Sequence, residues 1–155
     1  MNGETPEMPT TERSAIRLPS IRVRMGSTVL KARLEPDRSP RTVDAFVARL
    51  PWGGQLVHAR WSGEALWMPL GDTTLYDGFK DATSYPSPGQ VLWHPRDASE
   101  AELLIAYGPT RFASKAGRLK GNHFLTLLAD PEELAAIGRA VLWHGAIEVS
   151  FEAND

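Results

Sequence analysis

The sequence predicts a mainly β protein, a closed antiparallel barrel with two short helices covering its open ends. Three observations carry that expectation. Apolar and polar residues alternate in stretches at both ends of the chain, and two segments carry helix-start signals. The 13 glycines and 12 prolines supply the turns that many short strands need. Ile21, Val23 and Met25 alternate with Arg22 and Arg24, the period of a half-buried strand. Gly26-Ser27 turns the chain, and residues 29–34 return as the second arm of a hairpin.

The first helix is expected over 39–50. Ser39 can cap it, Pro40 suits the first helical position, and Asp44 lies toward the positive end of the dipole. Val43, Phe46, Val47 and Leu50 form one apolar stripe, and Pro51 with Gly53-Gly54 stops the helix. A second helix is expected over 131–138, opened by Asp130-Pro131-Glu132-Glu133, burying Leu134 and Ile137 and ending near Gly138. The remaining apolar segments read as strands over 55–61, 65–68, 90–94, 102–107, 123–128 and 140–151. In the last, Val141, Trp143, Ile147, Val149 and Phe151 share the odd positions. A barrel of about eight strands has an interior that its own side chains fill, so a site is expected on the outer wall or a rim.

At 155 residues the chain reads as one domain. Residues 1–18, rich in Pro, Thr and Glu, are expected to be a flexible tail before a barrel domain over 19–155. The net charge of −2 gives no electrostatic footprint for nucleic acid. With no cysteine, disulfides and thiolate chemistry are excluded. No apolar run reaches the roughly 20 residues that span a bilayer, and the acidic, polar start does not read as a secretory signal. A soluble cytoplasmic protein without a membrane partner is therefore expected. Histidines 58, 94, 123 and 144 lack metal-ligand spacing, so no metal is expected. No nucleotide or dinucleotide fingerprint is present, and no cofactor is expected.

The order of several motifs carries a resemblance. The helix at 39–50 is followed by His58-Ala59-Arg60, Pro69-Leu70-Gly71-Asp72, residues 87–92 (SPGQVL) and residues 119–124 (LKGNHF). That succession resembles the cyclophilin barrel over roughly 20–152. The strings at 59–64 (ARWSGE), 82–89 (ATSYPSPG), 111–115 (RFASK) and 121–124 (GNHF) are similar to a bacterial cyclophilin-like family of unknown function. The resemblance implies a cyclophilin-like barrel. It places the isomerase arginine on Arg60, with a one-residue ambiguity with Trp61, and the histidine on His123. Pro69-Leu70 stand where the glutamine belongs, Leu103 or Leu104 where the phenylalanine belongs, and Arg118 where the tryptophan belongs. Prolyl rotation faces a barrier of roughly 18–20 kcal/mol. A catalyst needs an apolar floor for the ring and an aimed donor, and this chain retains the donor without the aromatic floor.

The candidate site follows from residue type and order. Arg60, Ser62 and Glu64 would share one face if that segment were a strand, which suits a polar small molecule; an exposed salt-bridged face has the same spacing. Arg111 and Lys115 lie in a loop suited to an anion or simply to solvent. The expected cleft joins Arg60 and His123, as catalytic candidates, with Trp61, Ser62, Glu64, Tyr85, Arg111 and Asn122 as ligand-binding residues. The expected function is binding of a small polar or anionic ligand. A weak peptidyl-prolyl isomerase and a structural or assembly protein, including a homo-oligomer formed through exposed tryptophans, are the alternatives.

Overall fold

The computed structural model of the protein describes residues 18–154 apart from 72, 74, 77, 97 and 98. Residues 1–17 of the expected tail, and Asp72 of the Gly71-Asp72 pair, therefore lie outside the described residues. Leu18 packs against the core. The elements run β1 (Ile21–Met25), β2 (Thr28–Leu34), α1 (Pro40–Arg49), β3 (Trp52–His58), β4 (Gly63–Gly71), β5 (Gln90–His94) and β6 (Ala101–Thr110). They continue as β7 (Ala113–Ser114), β8 (Gly117–Arg118), β9 (Asn122–Leu128), α2 (Pro131–His144) and β10 (Ile147–Ala153). Eight strands close an antiparallel barrel in the order β1-β10-β3-β4-β6-β5-β9-β2, and β7 pairs only with β8.

Alternation decides which side chains fill the barrel. Val23 of β1, Leu30 of β2, Trp93 of β5, Leu103 and Ile105 of β6, and Phe151 of β10 point inward and are buried. The opposite register of the same sheet carries Ala65 and Trp67 of β4, Leu92 of β5 and Leu104 of β6. These belong to a second apolar cluster on the outer wall. A bulge in β9 at Phe124 lets both Phe124 and Leu125 enter the core.

The helices cover opposite ends. Phe46 of α1 packs its ring against Phe124 at 5.0 Å, Phe151 at 5.3 Å and Trp52 at 5.9 Å. Ser39 occupies the N-cap position, but its hydroxyl is buried without a hydrogen-bond partner and does not cap the helix. At the other end α2 runs 14 residues, to His144 instead of Gly138. The odd-position pattern at 141 and 143 therefore belongs to a helix, and only 147–153 is strand. Leu134, Gly138 and Val141 fall at i, i+4 and i+7 and are the buried positions of α2. Gly138 did not stop the helix because it lies against the Tyr107 ring, where a side chain would collide. Gly145, at φ 99°, ends it instead. Gly53 and Gly54 likewise sit inside β3, where a Cβ on Gly53 would meet the Val149 carbonyl.

Candidate functional site

The outer wall of β4, β6 and β5 is covered by the segment that contains the β7–β8 hairpin. Phe112 and Leu119, which flank that hairpin, are buried against Ala65, Leu92 and Leu104. Backbone polar groups fix the segment in place. The Ser62 hydroxyl donates to the Ala113 carbonyl at 3.1 Å and accepts from the Ala113 N–H at 3.0 Å, as a β-bridge residue would. The Arg111 N–H donates to the Ser62 carbonyl at 2.9 Å, and the Phe112 N–H to that of Ser84 at 2.7 Å. Between this hairpin and the β3–β4 turn lies a pocket of about 340 Å³. Arg60, Trp61 and Ser62 form one side and residues 113–116 the other; Trp67, Leu104 and Glu102 of the barrel wall form the floor.

Glu102 is the unusual group. It is 7% exposed, and its carboxyl has no hydrogen bond or ion pair among the described residues. Burial pushes its pKa from 4.5 up to about 8, with the neighbouring charge of Glu100 adding to the shift. At neutral pH the floor therefore presents a carboxylic acid able to donate one hydrogen bond. The exposed Arg60 and Lys115 give the mouth the opposite charge character. His94 stands directly across from Glu102 in the β5–β6 register, on the same outer face. Its Nδ1 donates to the Lys120 carbonyl at 2.7 Å, and its Nε2 is buried without a hydrogen-bond partner. Among the described residues no group of His, Asp and Glu is arranged to hold a metal ion.

The structure brings Arg60, Trp61 and Ser62 into the pocket, but not by the strand face that their spacing suggested. Residues 59–62 form a turn, and a bulge at Gly63 (φ 93°) breaks the alternation before β4 settles into register. Glu64 consequently lies over the Gly108 backbone and lines no part of the pocket. Tyr85 and Arg111 are exposed outside it. Arg118 donates to the Tyr85 hydroxyl at 3.4 Å, and with Arg111 it lowers the Tyr85 pKa below 10.0. Asn122 is fully buried; its amide accepts from the Lys80 N–H at 2.9 Å and donates to Gly78 at 2.9 Å and Thr42 at 3.3 Å. That bonding tethers the 78–80 loop to α1.

His123 also lies elsewhere. It is on β9, two strands from β6, roughly 10 Å away by strand spacing alone. Thr126 donates to Glu35 at 2.6 Å, so its oxygen accepts from His123 Nε2 at 2.7 Å. Burial lowers the His123 pKa, opposed by Glu35. Glu102 and Ser99 are pocket residues that sequence reasoning missed. A signal existed for the first: Glu102 is the single charge in the otherwise apolar run from Ala101 to Ala106.

The fold and site define a small closed barrel with a ligand-sized pocket on its outer wall. The chain belongs to the DUF3830 family, proteins of unknown function, whose model matches residues 21–153. Among solved structures it is similar to McbB in complex with tryptophan, at 22% identity and a TM-score of 0.68. That match covers 86% of this chain, which spans 44% of the length of McbB. It is also similar to the hypothetical protein AF2241 from Archaeoglobus fulgidus, at 15% identity and a TM-score of 0.53, covering 87% of this chain and 94% of that one. No curated protein matches the chain. These likenesses show a shared fold. Among the described residues no helix is long and apolar enough to cross a membrane.

Proposed function

We propose that this protein binds a small molecule with a flat apolar body and an anionic group, seated in the outer-wall pocket. The observation that carries the reading is the pocket itself: about 340 Å³, lined by Trp61, Trp67 and Leu104, with the exposed Arg60 and Lys115 at its mouth. That volume lies in the usual range for small-ligand sites, which are largely apolar with a few placed polar groups. Tryptophan rings give a flat ligand broad contact area, and a guanidinium beside an ammonium attracts a carboxylate. McbB, which shares this fold over 44% of its length, has been captured with tryptophan, which makes indole carboxylates sensible first compounds.

The test is calorimetric titration with indole-3-propionate. Binding is expected, with the affinity falling on added salt. The double substitution Arg60→Ala with Lys115→Ala should weaken it about tenfold, as two partly screened charge contacts of about 0.7 kcal/mol each predict. Binding that ignores both the substitutions and the salt would overturn the reading.

A further inference from the structure

The pocket holds one group that an anion does not need. An anionic ligand is served by Arg60 and Lys115, yet Glu102, only 7% exposed, lies on the floor with no partner for its carboxyl among the described residues. Burying an acid without a hydrogen-bond partner is costly, and a structural role would leave contacts that Glu102 lacks. Neither strand neighbour opposite it forms an ion pair with it: Pro69 on β4 cannot ionise, and His94 on β5 donates from Nδ1 to the Lys120 carbonyl. The other charged groups around it are Glu100 on the preceding loop, which repels, and Arg60 and Lys115 at the mouth, with which it forms no ion pair. Among the described residues no cation pairs with it, which leaves its carboxyl open to a positively charged group brought by a ligand.

Resting on the binding reading above, we propose that Glu102 is the counter-ion for an ammonium group of the ligand. The pocket then takes an aromatic amine that also carries an anionic group, buried end positive and exposed end negative. The cationic mouth and acidic floor match that dipole, and two tryptophans, Trp61 and Trp67, line the space between them. Glu102, protonated when the pocket is empty, gives its proton to solvent as the ammonium arrives. The carboxylate formed accepts a charge-assisted hydrogen bond from the ligand nitrogen. No other bond forms or breaks.

Three indoles separate this proposal from the reading beneath it: indole-3-propionate has the anion alone, tryptamine the ammonium alone, and tryptophan both. Each is titrated at pH 7 into the unmodified protein in two buffers of different ionisation enthalpy, which counts protons released. Tryptophan and tryptamine should each release nearly one proton and indole-3-propionate none. Tryptophan should bind at least tenfold more tightly than indole-3-propionate. In Glu102→Gln, a neutral isostere of the protonated acid, the release and that preference should both vanish while indole-3-propionate binding persists. If the anion alone binds as well as tryptophan, with no proton released, the counter-ion is overturned and the anion pocket stands. If proton release survives in Glu102→Gln, the assignment to Glu102 is overturned. If none of the three binds, the pocket reading falls and this proposal with it.

Discussion

Removing the ionisable group at Glu102 should change how stability depends on pH, and the size of the change follows from its surroundings. The buried carboxyl titrates at about 8, against 4.5 for the free group. Across that interval the folded state holds one proton that the unfolded state has released. Stability contributed by the protonated acid is fully present below pH 4.5 and is lost as pH rises toward 8. The slope is about 1.4 kcal/mol per pH unit, so the loss between those limits is on the order of 3–5 kcal/mol. Glu102→Gln keeps the shape and the polar character but cannot ionise. Urea denaturation at half-unit steps from pH 4.5 to 9 should show the two proteins nearly equal at the acid end. The variant should gain steadily to pH 8 and hold its advantage above it. Taking the difference between the two curves removes the titrations they share. A difference that stays constant with pH would mean that Glu102 ionises freely in the folded state, and the account of a largely desolvated, unpartnered carboxyl on the pocket floor would be wrong.

Three further substitutions probe the scaffold. Ser62→Ala should cost about 1–3 kcal/mol, since both Ala113 backbone groups lose their partner, and amide exchange at Ala113 should quicken. Unchanged exchange there would refute the clamp. Gly138→Ala should destabilise although helix propensity alone predicts a gain of about 1 kcal/mol. The new methyl overlaps the Tyr107 ring, which is held to His58 by a 2.7 Å hydrogen bond, and overpacking of this kind costs about 1–3 kcal/mol. A rise in Tm would show that the ring moves freely. His123→Gln keeps a donor for Thr126 but removes a buried histidine with a lowered pKa. The unfolded chain takes up that proton near pH 6.5 before the folded one does, so wild-type stability falls as pH drops below that value. The variant's decline between pH 6.5 and 5 should be shallower, and an identical decline would sink the argument.

The N-terminal hairpin and α1 were legible because each obeys one period along its length, whereas the last strand was legible only from Ile147 onward. Ile21 to Met25 alternate in sequence and in burial alike. Where the reading failed, a long-range contact overrode a local rule. Gly138 reads as a helix end, yet it is helical because the Tyr107 ring needs the space. Gly53 and Gly54, read with Pro51 as the stop of the first helix, do lie beyond its end at Arg49, but their place in β3 beside β10 and Met68 was not read. The pocket was half legible for the same reason. Arg60, Trp61 and Ser62 share a turn and so reach it together. Glu102 arrives from 40 residues away through the β4–β6 pairing, which no local pattern records. His123 and Asn122 share one motif with Gly121 in sequence but diverge in space, because successive strand residues face opposite sides.

A filled barrel constrains where selectivity can reside. Trp93, Leu103 and Phe151 point into the barrel and help fill it, and a ligand-sized space is made outside, where a hairpin is clamped against the wall. Its two charged ends are then mechanically unlike. Glu102 stands near the start of β6, paired with Pro69 of β4 and His94 of β5, so the sheet holds its backbone on both sides. Arg60 sits on a turn and Lys115 at the tip of a hairpin, both exposed on long, flexible side chains. A fixed group rejects a misplaced partner, because a buried charge left unmatched is expensive. A flexible cation in water follows its partner at little cost. Selectivity should therefore be strict at the buried end and tolerant at the mouth, so that lengthening the linker to the anion by one methylene matters less than moving the nitrogen by the same distance.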